Sequence, residues 1–165
     1  MPIELPEYDP ATTVRSETVE IAAPASVVWE ILTDLPRYGE WNPYCFSARS
    51  TLEMGAPVHM QLNSYTVPGE VYPGCEYICA FEPERLLSWE LPYSEAMPYP
   101  ARRDQVIEAL GPDTCRYHST DAFIGENGKH VMFFCAGWVK RAFDDTAFAL
   151  KARAEAFHAA RKAAA

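Results

Sequence analysis

Three ionisable residues, Arg103, Asp121 and Glu76, have the types and spacing to do chemistry inside a barrel. The turn Gly111-Pro112-Asp113 separates two alternating runs, 103–110 and 114–124. A hairpin on that turn sets Arg103 nearly opposite Asp121 or Ala122. Cross-strand β-carbons sit about 5 Å apart, so guanidinium and carboxylate can pair. Two readings of the pair stay open: a partly solvated ion pair at the end of a sheet, or a polar anchor for a ligand's carbonyl, phenol or carboxylate. As a general base, Asp121 must reach a substrate proton. Arg103 beside it favours the charged form and lowers its pKa, which weakens a base. Arg103 is therefore assigned to holding an oxyanion or carboxylate, with another group moving the proton. Glu76 shares the parity of Ile78. Facing inward among apolar side chains it has a raised pKa and can serve as an acid; facing outward it is a strand-edge carboxylate in water.

Strand alternation supplies the lining around these three. An inward Phe123 puts Asp121, Ser119 and Tyr117 on its face, and an inward Trp89 adds Leu87, Leu91 and Tyr93. From the last third of the chain, Phe143 and Leu150 point the same way. The stretch 92–101 (PYSEAMPYPA) reads as a rigid connection or as a lid carrying Tyr93 and Tyr99. His59 and His118 have outward parity, and His130 falls near the mouth. Trp41 is assigned to packing short helices.

Positioning these residues takes a sheet and a helix. Residues 14–21 alternate as a strand, 25–33 have helical composition after Pro24, and 35–41 form a second short helical turn. Strands follow at 44–53, 57–65, 71–81, 85–91, 103–110 and 114–124, the first two joined by a tight turn at Met54-Gly55-Ala56. From Ala136 to about Lys162, Val139, Phe143, Thr146, Ala147, Leu150, Ala154 and Phe157 recur at helical spacing. Such a helix runs to about 38 Å and needs a six- or seven-stranded sheet to cover. The expected organisation is an extended arm over 1–13 and one domain over 14–162.

The chain has 165 residues and a formal charge of -9. That charge opposes phosphate backbones and anionic membrane surfaces, so nucleic acid is excluded as a partner. Five cysteines without a C-x-x-C pair read as buried small hydrophobes in a reducing cytoplasm. No signal segment stands in 1–14, and no apolar run reaches the length of a membrane span. G-x-S-x-G, H-E-x-x-H, the P-loop and the Rossmann fingerprint are all missing, so no metal and no cofactor are indicated.

The wording of the chain adds a resemblance. Ile21-Ala22-Ala23-Pro24 with Val28-Trp29, then Asp34, Tyr38 and Trp41-Asn42-Pro43, resembles the opening of the START-like (SRPBCC) superfamily. Glu82-Pro83 with Leu87 and Trp89, Phe123 with Gly125, and Leu150-Lys151 with Glu155 resemble later parts of it. The likeness spans 14–158 and is strongest to polyketide cyclase/dehydrase-type members. Arg103 stands where many relatives have His, Asp121 where many have Glu, and the loop 92–101 is longer than usual. The resemblance implies an α+β helix-grip fold of the START/Bet v kind. In that fold a curved antiparallel sheet wraps a long C-terminal helix, and two short helices follow the first strand. It implies a small apolar or aromatic ligand in the grip. Three roles stay open. One is an enzyme doing cofactor-free cyclase, dehydratase or lyase chemistry on an aromatic or polyketide-like substrate. The second is a carrier of a hydrophobic aromatic or lipid ligand, and the third a chaperone-activator-like module, which the acidic charge disfavours. In the enzyme Arg103, Asp121 and Glu76 are catalytic, and Trp89, Tyr93, Tyr99, Tyr117, Ser119, Phe123, Phe143 and Leu150 bind ligand. A homodimer is left open.

Overall fold

The longest hairpin organises the sheet. In the computed structural model, which describes residues 3–165, β7 (Ala101–Gly111) and β8 (Thr114–Phe123) pair antiparallel over their whole length. The first two residues of the expected arm lie outside the described residues. From β7 the sheet runs through β6 (Leu86–Leu91), β5 (Val71–Glu82) and β4 (Pro57–Asn63) to β3 (Cys45–Arg49). On the other side, β8 pairs with both β1 (Thr13–Arg15) and β2 (Val19–Ile21). Register shifts at Cys45/Ser47, Ile78/Ala80 and Ala109/Gly111 mark bulges, which bend strands and add twist. The bent sheet wraps α2 (Gly128–Ala164), while α1 (Ala25–Thr33) and a 3-10 turn (Leu35–Glu40) close one end. Tyr38 donates to the carbonyl of Leu32, and its ring meets Trp41 edge-on at 5.3 Å, so Trp41 does pack the short helices.

Three expectations need correction. The strand over 14–21 is two strands, giving eight in all, because Ser16 breaks the pleat. Its amide donates to Ser119 O and its hydroxyl accepts from Ser119 N. Val14 and Ser16 are buried before the break and Val19 and Ile21 after it, so the inward parity switches. The turn at Met54-Gly55-Ala56 is a longer loop, since β3 ends at Arg49; Gly55, at φ 80°, donates to Ile78 O and docks the loop on β5. The long helix starts at Gly128 rather than Ala136 and spans about 55 Å at 1.5 Å per residue.

Packing explains the helix's position. Its inner stripe is Val139, Ala142, Phe143, Thr146, Ala147, Leu150 and Ala154, all buried. The alanines let the backbone approach the sheet, and fully burying Leu150 contributes about 1.5–3 kcal/mol. Polar ties fix the register: Asp144 accepts from the amide of Glu17 at 2.7 Å, and Glu155 accepts from Ala22 N at 2.9 Å and from Lys151 at 2.6 Å. The bond from Ala22 and then Lys151 hold Glu155 below the usual carboxylate range.

Candidate functional site

Arg103, Asp121 and Glu76 converge on one small cavity between the sheet and α2, with a volume of about 40 Å³. Trp89 on β6 and Phe143 on α2 complete its wall with Tyr44, Met60 and Leu62. The ladder sets this directly: Arg103 lies opposite Asp121 on one side and Trp89 on the other. Glu76 arrives from β5, opposite Val58.

The expected ion pair does not close. Arg103 is 5% exposed, far from a solvated position at the sheet end, and its Nε and Nη2 have no hydrogen-bond partner. Instead its guanidinium lies 4.1 Å over the Phe143 ring and 5.9 Å from that of Trp89, where the aromatic faces attract the cation. Asp121 is also corrected. Burial pushes it up to about 7, with Arg103 lowering and Asp104 raising it, so desolvation outweighs the guanidinium. Burial, then the nearby Asp121 charge, pushes Glu76 up to about 8 against the pull of Arg103.

Asp104 belongs to the opposite face of β7. It is buried there and accepts from Ser88 at 2.5 Å and from Arg102 at 2.8 Å. Its parity alternates with that of Arg103, so one strand carries a paired carboxylate outside and an unpaired cation inside.

Other expected residues divide three ways. Tyr117, Ser119, Phe123 and Leu150 are buried in the core but do not line the cavity. Tyr99 lines a second, outer hollow of about 800 Å³ with Leu91, Met97, His130, Phe134 and Trp138. Tyr93 is 64% exposed and lines neither space, because the proline-rich loop turns outward after β6. That loop is anchored where Asn127 Nδ2 donates to Pro98 O at 2.8 Å. His59 is exposed, as its parity predicts. His118 is half-buried, and burial and then Arg15 lower it to about 4.

Tyr44 is the main residue that spacing did not single out. It stands between the two spaces. Its ring approaches Trp138 at 6.2 Å on the outer side and Phe143 at 6.3 Å on the inner side. Its hydroxyl pairs with that of Tyr72 at 3.0 Å. The expected strand over 44–53 begins with it, but the observed strand starts one residue later, at Cys45, and nothing in the spacing sets Tyr44 apart from the other tyrosines.

A family model described as polyketide cyclase / dehydrase and lipid transport matches residues 12–155. The chain belongs to this family. No curated protein matches it in sequence, but solved structures share the family's fold. The Zhui aromatase/cyclase from Streptomyces sp. R1128 superposes with a TM-score of 0.68 at 20% identity, covering 87% of this chain and 93% of that one. A di-domain aromatase/cyclase, StfQ of the steffimycin biosynthetic pathway, gives 0.68 at 12% identity over 90% of this chain; the match spans 47% of the di-domain protein. A norcoclaurine synthase from Thalictrum flavum gives 0.60 at 13% identity, covering 86% and 92%. The family therefore fixes the helix-grip architecture here. No helix among the described residues is long and apolar enough to cross a membrane.

Proposed function

We propose that the protein is a cofactor-free enzyme moving protons on an aromatic or polyketide-like substrate, as a cyclase, dehydratase or lyase. The observation that carries this reading is the meeting of two near-neutral carboxyls with a buried cation in one cavity. Asp121 titrates at about 7 and Glu76 at about 8, so near pH 7.5 one can be ionised while its partner stays protonated. The relatives that support it are the aromatase/cyclases and the norcoclaurine synthase, which carry catalytic names on the same fold.

A dehydration illustrates the roles. The Asp121 carboxylate takes a proton from the carbon beside a ketone, and the C–H electron pair moves into an enolate. Arg103 holds the enolate oxygen, the charge-stabilising role that needs a fixed donor in a dry site. The enolate expels the β-hydroxyl, which takes the Glu76 proton and leaves as water. Asp121 then passes its proton to Glu76, and the pair is reset. The substrate loses one water and no oxidant or metal is consumed.

The test is turnover of an aryl β-hydroxyketone, followed by enone absorbance. Asp121→Asn, Glu76→Gln and Arg103→Ala should each lower kcat by about 10²–10⁴ while the circular dichroism spectrum is kept. Unchanged turnover in all three would sink the assignment. A carrier of an apolar ligand is the second reading. It is favoured by the outer hollow of about 800 Å³ beside an inner cavity with room for only a water or two. Native mass spectrometry separates the two: a carrier retains one unaltered molecule, and an enzyme converts what it is given.

A further inference from the structure

The first turns of α2 carry an apolar surface that the chain itself leaves open. Phe133 and Phe134 are 84% and 76% exposed, and their rings meet edge-on at 5.0 Å. Phe134 forms one wall of the outer hollow together with Met97 and Tyr99, which are about half exposed. Phe133 is not part of that wall, so it stands as a knob on the rim of the hollow. Gly137 is also exposed and lies one turn beyond both phenylalanines, on the same outer face. The place its Cβ would take has no neighbour nearer than Arg141 Nη1, at 4.0 Å. Glycine inside a helix costs about 1 kcal/mol relative to alanine, and nothing among the described residues requires it there.

The shape of this surface selects its occupant. A knob beside a hollow is self-complementary: about a two-fold axis each copy's knob meets the other's hollow, and the contact closes on itself. The open parts of Phe133, Phe134, Tyr99 and Met97 come to about 500 Å² at about 200 Å² per residue. Two copies then bury about 1,000 Å² through these four residues alone, the least that a specific interface needs. The four are aromatic or methionine and uncharged, the composition of an interface core. Glu126 and Lys129, both exposed and of opposite sign, flank the lining residues Asn127 and His130 as a polar rim. A lipid surface is a poorer match. The chain's charge of -9 repels anionic headgroups, and the next cations along α2, Lys140 and Arg141, are engaged by Glu17, Asp144 and the Tyr65 carbonyl. A small molecule in the hollow leaves Phe133 uncovered and gives Gly137 no purpose.

We propose that the chain forms a two-fold homodimer through the start of α2. The two helices cross at Gly137, where the missing side chain lets their backbones approach. The partner's Phe133 seats in the outer hollow and roofs it, so each hollow is complete only in the dimer. The inference does not depend on whether the inner cavity turns anything over.

Sedimentation velocity of the full chain, from about 1 to about 100 μM, tests it. A species of twice the 18.5 kDa chain mass should grow with concentration. Phe133→Glu should raise the dissociation constant at least about thirtyfold, the loss of one central anchor, with the circular dichroism spectrum kept. Gly137→Gln gives a readout that a merely structural role would not: better helix propensity should raise the Tm of the dilute monomer while the dimer weakens. A chain that stays monomeric at about 100 μM overturns the proposal. So does a dimer that survives both substitutions, which puts the contact on another face. Flotation with phosphatidylcholine–phosphatidylglycerol vesicles covers the remaining occupant: a monomer that floats, and loses this with Phe133→Glu, gives the surface to lipid and overturns the dimer. The two ideas fail separately. Turnover by a monomer removes only the dimer, and a dimer without turnover removes only the enzyme.

Discussion

Asp121 and Glu76 each sit in a balance that burial wins, and that balance fixes two pH dependences. The first is kinetic. If ionised Asp121 takes the proton and protonated Glu76 gives one, kcat should rise through about pH 7 and fall above about pH 8. The second is thermodynamic. Both carboxyls bind protons more tightly folded than unfolded, so folding is favoured while both are protonated, below their ordinary values near 4. Stability is then lost progressively as pH rises through 7 and 8. Asp121→Asn, which mimics the neutral acid, should raise Tm over the parent by several degrees at pH 9 and hardly at pH 4. A Tm difference independent of pH would show that Asp121 is not buried as an acid. The register of Arg103 with Asp121 was legible, because a hairpin turn counts residues. The direction of the Asp121 shift was not, because parity says which way a side chain points and nothing about how dry its surroundings are.

Among the elements, strand 57–63 could be read from alternation because it keeps one wet face, whereas β7 is buried on both faces from Arg103 to Ile107 and is placed by the turn at 111–113 instead. The start of α2 could be read from neither. Val131, Cys135 and Trp138 pack on the core at helical spacing, but Phe133 at 84% and Phe134 at 76% exposed make the run 131–135 apolar all round, so periodicity has no polar face to set against the stripe. The helix's first residue is seated by close backbone approach. A Cβ added at Gly128 would come within 2.6 Å of the carbonyl oxygen of Phe123, the last residue of β8, and that oxygen is backbone and cannot swing away. Gly128→Ala should therefore destabilise the fold by about 1–3 kcal/mol, despite alanine's better helix propensity. Urea unfolding measures it. A neutral or stabilising result would mean that the helix can slide from β8 at no cost, and that the Asn127–Pro98 bond alone holds the outer hollow's loop.

At the scale of the whole molecule, the two faces of the sheet do different work, and the arm separates them. Residues 3–9 have no regular structure before a 3-10 turn capped by Asp9. Ile3 and Leu5 face a hollow of about 720 Å³ shared with Val106 and Pro83. Tyr8 lies close enough to Arg102 and Asp104 to feel their charges. The arm thus shields the paired carboxylate on the outer face, while the cavity lies on the inner one. Deleting residues 1–9 removes the half-buried Ile3, Leu5 and Tyr8 and admits water to the Arg102–Asp104 pair. The loss should be about 2 kcal/mol from apolar burial, a fall in Tm of about 4–8 °C. Ligand affinity and kcat should stay within about twofold of the full chain, because every group lining the cavity is contributed from Tyr44 onward. If binding falls along with stability, the sheet transmits strain between its faces. The balance at Asp121, to which the outer Asp104 contributes, would be where to look for the link.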